Sequence, residues 1–209
     1  YSDITVFSFH PVKIITTGEG GMALTNSEEL YNQMNLLRSH GVTRDPRLLA
    51  HDHGPWYYEQ IALGFNYRMT DIQAALGVSQ MKRIEQFLTK RRKIARIYDD
   101  QLFNMPVRIP LQAAETLSSY HLYPILIDDL KTKTTQIELY TQLQDQNIIV
   151  NIHYIPIYLQ PYYRDLGFKP GYCPNAEKYF KSVITLPMYY SLTHKEQSYV
   201  INTLKKLLI

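Results

Sequence analysis

Short apolar runs and a glycine-rich turn alternate at the beginning of the chain. Residues 4–9 are mostly apolar or β-branched and predict a buried strand, and residues 14–17 predict a second, shorter strand. Residues 18–21 contain three glycines, which adopt positive φ angles without steric cost, and they predict a turn. Residues 22–25 predict a returning strand. The pattern therefore predicts a hairpin that holds Lys13, at the end of the first strand, rigidly.

Capping signals mark the first two predicted helices. The Asn-Ser pair at 26–27 can cap the next helix. Thr70 and Gln73 have the spacing of a capping box, which starts a long helix that is predicted to continue to about residue 103. That helix carries an apolar stripe at helical spacing. Between the two helices, residues 42–65 have an irregular pattern and predict a long loop.

Prolines at positions 106 and 110 mark a boundary between two predicted domains, residues 1–104 and residues 105–209. Beyond this boundary strands and helices alternate, and this β-α-β-α pattern predicts a small sheet covered by helices. Strands are predicted at residues 121–127 and 148–154, and residues 183–186 are predicted as a short strand or an apolar turn. The helices are predicted at residues 134–146, 175–181 and 193–208.

The composition argues against several classes of function. The chain has 209 residues, 45% of them hydrophobic, so it can bury a sizeable core. The net charge of +3 comes from mixed acidic and basic residues, which is not the footprint of a nucleic-acid binder. The basic run at 90–93 is expected to be a solvated helix face. No apolar run approaches the length of a membrane span, and the single cysteine, Cys173, cannot form an internal disulfide or a cysteine-based metal cluster.

His51 and His53, in the predicted loop, have the spacing of a possible metal-ligand pair. A zinc ion takes three or four protein ligands, and no third ligand is evident in the sequence. Ordinary loop histidines are therefore the favoured interpretation, and no metal site is predicted.

Lys13 carries the strongest chemical signal in the chain. At the end of a strand, the backbone holds a lysine in place and partly desolvates it. Desolvation disfavours the charged ammonium, so the amine is better able to attack a carbonyl group, as a Schiff-base lysine must. The alternative is a solvated surface lysine, which is the commoner case. Position alone leaves both interpretations open.

Five sequence blocks, spread along nearly the whole chain, carry a family resemblance. They lie at residues 7–22, which include the lysine, and at residues 37–41, 64–77, 121–124 and 152–158. In this order they resemble the pyridoxal-phosphate-dependent sugar aminotransferases of the DegT/DnrJ/EryC1/StrS family. Within that family the chain is most similar to the branch that aminates a UDP-linked 4-keto-6-deoxy sugar on the way to pseudaminic acid.

The resemblance implies an α/β fold of the aspartate-aminotransferase type, known as fold type I. The chain would be the C-terminal part of such an enzyme. It would comprise the end of the large cofactor-binding domain, with a long linker helix, and the small α/β domain. The rest of the polypeptide would supply further cofactor contacts. We therefore expect this chain alone to bind the cofactor weakly or not at all and to be inactive.

The resemblance also assigns roles to three residues. Lys13 is expected to be catalytic and to bind pyridoxal 5'-phosphate covalently. Ser8 is expected to bind the cofactor phosphate; its alternative is a polar residue that faces out of a strand. Asn66 is expected to reach the cofactor phosphate of the neighbouring subunit, which implies a homodimer with a shared active site. The alternative for Asn66 is a residue that closes the turn before the Thr70 cap.

Four further residues are candidates for substrate binding by the same resemblance. His10 follows the phosphate-binding serine and is expected near the cofactor or the sugar. His40, His153 and Tyr154 match blocks that line the substrate cleft in relatives. For each of the four, a structural role is an equal alternative.

The implied activity is transamination, with glutamate as the expected amino donor. The leading hypothesis is amination of a UDP-linked 4-keto-6-deoxy-N-acetylhexosamine to UDP-4-amino-4,6-dideoxy-N-acetyl-β-L-altrosamine by a cytoplasmic enzyme with no nucleic-acid or membrane partner. Some family members have histidine in place of the lysine and dehydrate sugars, so Lys13 favours amino transfer. One alternative is another nucleotide-4-ketosugar aminotransferase, acting on a UDP-4-ketopentose or a dTDP-4-keto-6-deoxyhexose. The other is a non-catalytic regulator that binds the cofactor or a sugar.

Overall fold

The protein forms two compact units in the computed structural model, which describes residues 2–51 and 53–208. The units are Tyr1–Ile84 and Glu85–Ile209, and both contain helices and strands. Within the described part, every buried hydrophobic side chain belongs to the second unit, beginning with Phe87. Among the residues described, the structure contains no helix with the length and hydropathy of a membrane span.

The predicted hairpin is present, but only two of its three strands form. β1, Thr5–Ser8, pairs antiparallel with β2, Gly21–Leu24. The strand predicted at residues 14–17 is wrong, because Thr17 donates its N–H to the carbonyl of Phe9 (3.0 Å) and the chain there is bent and irregular. The predicted burial of the first strand is also wrong. Both strands are exposed along their whole length, and the described residues of this unit include no buried hydrophobic core to cover them.

The helices of the first unit, α1 (Glu28–Arg38) and α2 (Asp71–Met81), begin at predicted caps. The hydroxyl of Ser27 accepts a backbone N–H of the first turn of α1. Thr70 and Gln73 form the predicted capping box, in which each side chain accepts the backbone N–H of the other residue. Both caps satisfy N–H groups that have no partner inside the helix.

The predicted loop, residues 42–65, contains a short sheet. β3, Val42–Thr43, pairs antiparallel with β4, Glu59–Gln60. The carboxylate of Glu59 accepts the backbone N–H of Ala50 (2.8 Å), and this bond helps to hold the pKa of Glu59 below its usual value. This bond ties residue 50 of the loop to β4.

The single long helix predicted to about residue 103 is wrong, because the chain forms two helices there. α3, Ile84–Leu102, follows the end of α2 after two residues. Between the helices, the N–H of Arg83 bonds to the carbonyl of Gln80 (3.0 Å), one residue short of the α-helical spacing. The apolar stripe is buried only in α3. Its buried apolar residues are Phe87, Ile94, Ala95, Tyr98 and Leu102.

The predicted domains, residues 1–104 and residues 105–209, place α3 in the first domain. In the structure, the buried residues of α3 belong to the hydrophobic core of the second unit. Packing within this chain and domain membership in the complete enzyme are different properties. The domain boundary after residue 104 therefore stays a prediction.

The second unit is built on a three-stranded antiparallel sheet. Its strand order is β5 (Val107–Arg108), β6 (Tyr123–Ile127) and β7 (Val183–Leu186), with Tyr123 opposite Leu186. Every residue of β7 is buried, and burial alternates along β6. The helices of this unit that follow β6 are α4 (Gln136–Asp145), α5 (Pro161–Asp165), α6 (Pro174–Phe180) and α7 (His194–Leu208).

Residues 148–154 do not form the predicted strand. Asn151 alone pairs with β7, in an isolated bridge to Thr185. The side-chain Oδ1 of Asn151 accepts the N–H of Ile152 (2.8 Å), which takes that donor away from a strand ladder.

Two tyrosines lie at the centre of the core of the second unit. Tyr98 and Tyr123 have no exposed surface, and their ring centroids are 4.9 Å apart. Tyr123 donates to Asp99 Oδ1 (2.5 Å), and Tyr98 donates to the carbonyl of Pro187 (3.0 Å). Burial raises the pKa of both hydroxyls, so both remain protonated donors. These bonds satisfy the polar ends of two otherwise apolar side chains.

The predicted solvated face at residues 90–93 is wrong for Arg91, whose side chain is buried (6% exposed). One guanidinium nitrogen donates to the carbonyls of Tyr120 (3.0 Å), His121 (3.2 Å) and Met188 (3.1 Å). Arg91 thus ties α3 to the chain before β6 and after β7, and burial lowers its pKa.

Replacement of Arg91 by methionine is expected to destabilise the second unit by about 2–4 kcal/mol, because three buried carbonyls lose a charged donor. Lys93→Met, at an exposed position on the same helix, is the control and should change stability by less than about 0.5 kcal/mol. Urea unfolding of the 209-residue chain measures both. Equal midpoints for the two variants would contradict the bridging role of Arg91.

The two units are expected to differ in local stability, because only the second has a hydrophobic core. In native-state hydrogen exchange of the 209-residue chain, amides of β1 and β2 should exchange at least about 100-fold faster than amides of β6 and β7. Equal protection of the two sheets would show that the exposed hairpin is held by more than its own backbone hydrogen bonds.

Candidate active site

The loop that carries Lys13 is fixed by backbone hydrogen bonds. Lys13 donates its N–H to the carbonyl of His10 (2.9 Å), which closes a β-turn with Pro11 at its second position, where proline is favoured. The bond from Thr17 to Phe9 closes the wider loop. Lys13 is half-buried, and in the described part of the chain the structure shows no ion pair for its amine.

The glycine turn after the lysine adopts backbone conformations that favour glycine. Gly18 has φ 79° and Gly20 has φ 151°. A Cβ atom at Gly20 would collide with the side chain of Thr17 and would lie 2.9 Å from Met69 Cε. The hydroxyl of Thr17 donates to the carbonyl of Glu19 (2.6 Å) and fixes the turn from inside. Close packing as well as backbone conformation therefore requires glycine at position 20.

Helix α2 supports the lysine loop from outside. The amide Nε2 of Gln73, in its first turn, donates to the carbonyl of Glu19 (3.1 Å). A Cβ atom at Gly77 would lie 2.9 Å from Thr17 Cγ2, so glycine permits the helix to approach the loop closely. The sequence shows Gln73 only as part of a capping box, and its second bond to the lysine loop was not predictable from that motif.

Ser8, the last residue of β1, and His10, in the loop that carries Lys13, are joined by a hydrogen bond. The hydroxyl oxygen of Ser8, which is exposed, accepts the N–H of His10 (3.4 Å). This arrangement leaves the hydroxyl hydrogen of Ser8 available for a ligand. His10 Nε2 lies 3.9 Å from Glu19 Oε1, across the glycine turn. The structure thus brings together three of the predicted site residues.

Asn66 and His40 lie together at the end of α1. Asn66 forms an isolated bridge with Ser39, and the N–H of His40, which has φ 64°, donates to the carbonyl of Phe65 (2.8 Å). Both side chains are on exposed residues. In the part of the chain that the structure describes, no hydrogen bond joins either residue to the lysine loop. A contact of Asn66 with a neighbouring subunit stays a prediction.

His153 and Tyr154 belong to the second unit. The Nδ1 atom of His153 lies 2.8 Å from the hydroxyl of Thr185, and the rings of His153 and Tyr154 meet edge to face at 4.4 Å. The peptide bond between them is cis. Tyr154 is 67% exposed, so its ring is presented to solvent beside the imidazole of His153.

The segment after Tyr154 is held by hydrogen bonds to the carboxylate of Glu177, a contact that the sequence did not reveal. Tyr158 donates its hydroxyl hydrogen to Glu177 Oε1 (2.6 Å), and the N–H of Gly171 donates to the same oxygen (2.5 Å). The bond from Tyr158, followed by that from Gly171, lowers the pKa of Glu177. Burial and the bond to Glu177 raise the pKa of Tyr158. With 18 tyrosines in the chain, no single tyrosine stands out in the sequence.

No cluster of three or more metal-ligating side chains is found in residues 2–51 and 53–208. The rings of His51 and His53 are 5.8 Å apart, and the ring of His53 meets that of Tyr57 edge to face at 4.7 Å. These contacts are those of a packed loop.

Residues 1–205 match the model of the DegT/DnrJ/EryC1/StrS aminotransferase family. The chain belongs to this family. Among its relatives, the UDP-4-amino-4,6-dideoxy-N-acetyl-beta-L-altrosamine transaminase of Campylobacter jejuni is 35% identical over 208 residues, which cover 99% of this chain and 53% of that protein. This family membership confirms the predicted resemblance.

Two solved structures of sugar aminotransferases share the fold. Helicobacter pylori PseC, an aminotransferase of pseudoaminic acid biosynthesis, superposes with a TM-score of 0.88 at 33% identity, over all of this chain and 54% of its own. Spr1654 of Streptococcus pneumoniae, assigned as a sugar aminotransferase, superposes in its PMP-form with a TM-score of 0.89 at 32% identity. The match covers 99% of this chain and 53% of Spr1654. These likenesses confirm the predicted fold class. The chain spans about half the length of the curated relatives it matches.

The lowered pKa of Glu177 predicts a pH-dependent change in the segment after Tyr154. At pH values above the ordinary glutamate pKa of about 4.3, the carboxylate is charged and accepts the N–H of Gly171. This hydrogen bond is lost as the pH falls through the lower pKa that Glu177 has in the folded protein. The amide signal of Gly171 in nuclear magnetic resonance spectra should therefore titrate with a midpoint below that value.

Glu177→Gln should abolish the titration of the Gly171 amide, because the amide side chain has no charge to lose. Asp145→Asn, on α4, serves as a control and should leave the titration unchanged. A midpoint at the ordinary glutamate value, or a titration that persists in Glu177→Gln, would contradict the assignment.

Proposed function

We propose that this chain is part of a pyridoxal-phosphate-dependent aminotransferase that converts the C4 ketone of a nucleotide-linked sugar to an amine. The observation that carries the proposal is the half-buried Lys13, which bonds through its N–H to His10, the residue whose own N–H donates to the hydroxyl of Ser8. Membership of an aminotransferase family supports it.

The residues of the lysine loop fit the proposed cofactor. Lys13 supplies an amine that can bind an aldehyde carbon, and Ser8 supplies a hydroxyl donor for a phosphate. When bound, pyridoxal phosphate stabilises negative charge on the carbon next to the substrate nitrogen. The PLP-form and PMP-form structures of Spr1654 support the choice of cofactor.

Lys13 has two tasks in this proposal. Its amine would hold the cofactor, and the freed Nζ atom would then act as the base that moves the proton at the donor carbon next to the nitrogen. The turn closed by the bond from the Lys13 N–H to the His10 carbonyl keeps the backbone of Lys13 at one place between these two steps. In the second half of the reaction, Lys13 moves a proton in the reverse direction for the ketosugar.

Ser8 and Asn66 orient the cofactor through its phosphate. Ser8 acts from the same chain as Lys13, and Asn66 acts from the neighbouring subunit, so we propose a homodimer with a shared site. The bridge between Asn66 and Ser39 supports a fixed position for the amide at the end of α1. His10, which also lies on the lysine loop, and His40, beside Asn66, are proposed to border the sugar.

The proposed substrate is a UDP-linked 4-keto-6-deoxy-N-acetylhexosamine, with glutamate as the amino donor and UDP-4-amino-4,6-dideoxy-N-acetyl-β-L-altrosamine as the product. The names of the Campylobacter jejuni and Helicobacter pylori relatives support this choice. A UDP-4-ketopentose or a dTDP-4-keto-6-deoxyhexose is the nearest alternative, because the lysine loop serves any 4-ketosugar equally. A non-catalytic regulator is disfavoured by the presence of Ser8, Lys13 and Asn66 together.

The test is an absorbance titration of the complete enzyme with pyridoxal phosphate, before and after addition of glutamate. A visible absorbance band should appear with the cofactor and disappear with glutamate. Lys13→Ala should remove the band and slow amino transfer by about 10³-fold or more. Lys82→Ala, an exposed lysine at the end of α2, is the control and should behave as wild type.

Amino transfer at the wild-type rate by Lys13→Ala would refute the proposal. A wild-type enzyme that forms no absorbance band with the cofactor would favour the hypothesis of a non-catalytic regulator. A panel of UDP- and dTDP-linked 4-ketosugars, offered to the active enzyme, then identifies the sugar.

A further inference from the structure

Helix α2 and the lysine loop are joined at one carbonyl oxygen. The carbonyl of Glu19 accepts a bond from Gln73 Nε2 (3.1 Å) and a second bond from the hydroxyl of Thr17 (2.6 Å). A carbonyl oxygen has two lone pairs, so these two donors saturate it. Glu19 is therefore tied to the helix on one side and to the buried residue of the loop on the other.

Thr17 fills the space between the glycine turn and α2. It is 4% exposed, in a unit whose described residues include no buried hydrophobic side chain. A Cβ atom at Gly20 would collide with its side chain, and one at Gly77 would lie 2.9 Å from its Cγ2. The N–H of Thr17 closes the loop that carries Lys13 by its bond to Phe9 (3.0 Å). A shift of Thr17 is therefore passed on to the backbone of that loop.

The two ends of the Gln73 amide have partners of opposite kinds. Its Oε1 accepts the N–H of Thr70 (3.0 Å) and the hydroxyl hydrogen of Thr70 (3.0 Å), and its Nε2 donates to Glu19. A backbone N–H can only donate and a backbone carbonyl can only accept, so these partners fix the orientation of the amide. A carboxylate in this place could serve Thr70 but not Glu19, because it has no donor.

Two further capping boxes of the chain have glutamate where this one has glutamine. Thr135 and Glu138 form the box of α4, and Thr193 and Glu196 form the box of α7. A negative charge is favourable in the first turn of a helix, and both of these boxes have it. Position 73 lacks this charge and has instead a donor for the lysine loop.

We propose that Gln73 is a positioning residue for Lys13, because its amide holds the lysine loop against α2 and keeps the backbone of Lys13 in one place while the amine reacts. This proposal rests on the proposed role of Lys13 in the enzyme. Gln73 acts on the lysine through Glu19 and Thr17. The reaction depends on such positioning, because proton transfer is fast only when the base stands at a fixed distance from the carbon.

Gln73→Glu separates the two tasks of the side chain, since it keeps the acceptor for Thr70 and removes the donor for Glu19. Hydrogen exchange of the complete enzyme without cofactor, followed by mass spectrometry, tests the link without activity. The peptide that covers residues 9–20 should exchange about 5- to 10-fold faster than in wild type, the effect of one lost hydrogen bond. The peptide of α2 should exchange as in wild type, because the cap is intact.

Glu138→Gln is the matched control. It makes the reverse change at a capping box of the second unit, and exchange of residues 9–20 should stay at the wild-type rate. Gly77→Ala reaches the loop without a change at Gln73, because the added methyl group presses on Thr17, and it should accelerate the same peptide. Wild-type exchange of residues 9–20 in Gln73→Glu, or equal acceleration in Glu138→Gln, would overturn the proposal.

The effect on the reaction is measured by rapid mixing of the holoenzyme with glutamate. Gln73→Glu should lower the limiting rate at which the cofactor absorbance band disappears by about tenfold, and it should leave the half-saturating glutamate concentration unchanged. A loss of folded protein would lower the amplitude of the signal and not the rate. A wild-type limiting rate, or a change in the half-saturating concentration alone, would contradict the positioning role.

Failure of this proposal can be distinguished from failure of the proposed function. An enzyme whose absorbance band requires Lys13, but whose loop exchanges normally in Gln73→Glu, contradicts only the role of Gln73. A complete enzyme that keeps the band in Lys13→Ala contradicts the proposed function, and the positioning role of Gln73 with it.

Discussion

The backbone hydrogen bonds that close the loop between Phe9 and Thr17 are the constraint on which the candidate site depends. They place the turn at His10 and Pro11, and with it the amine of Lys13, at one end of a two-stranded hairpin. No hydrophobic core fixes this part of the chain. The backbone of the lysine loop is set by these hydrogen bonds, by glycine at position 20 and by the approach of α2.

The second unit is held together by a different force. Burial of apolar side chains from α3, the three strands, α4 and α7 supplies its stability. The hydroxyl of Tyr98 and the guanidinium of Arg91 satisfy carbonyls at its margins. A core of this kind gives β7 a rigid position. That position places the hydroxyl of Thr185, a buried residue, 2.8 Å from His153 Nδ1.

Features set by a few neighbouring residues could be predicted from the sequence. The caps at Ser27 and Thr70 depend on side chains that bond to the next turn of the chain, and the family blocks led to Lys13 and Ser8. Features set by distant partners could not be predicted. Residues 14–17 have the composition of a strand, but their hydrogen bonds go to Phe9.

The other differences have separate causes. Arg91 lies in a basic run that predicts a solvated helix face, but in the structure its guanidinium donates to the carbonyls of three separate residues. No glycine or proline signals the interruption between α2 and α3. The strand predicted at residues 148–154 is limited to one bridge because Asn151 bonds to its own neighbour, a local competition that the apolar pattern does not show.

The central claim, that Lys13 binds the cofactor, is tested most directly by chemical trapping. The complete holoenzyme is treated with borohydride, which makes a lysine-cofactor bond permanent, and is then digested and examined by mass spectrometry. We predict one phosphopyridoxyl group per chain, attached to Lys13. A modification on another lysine, or none after treatment of cofactor-saturated enzyme, would contradict the claim.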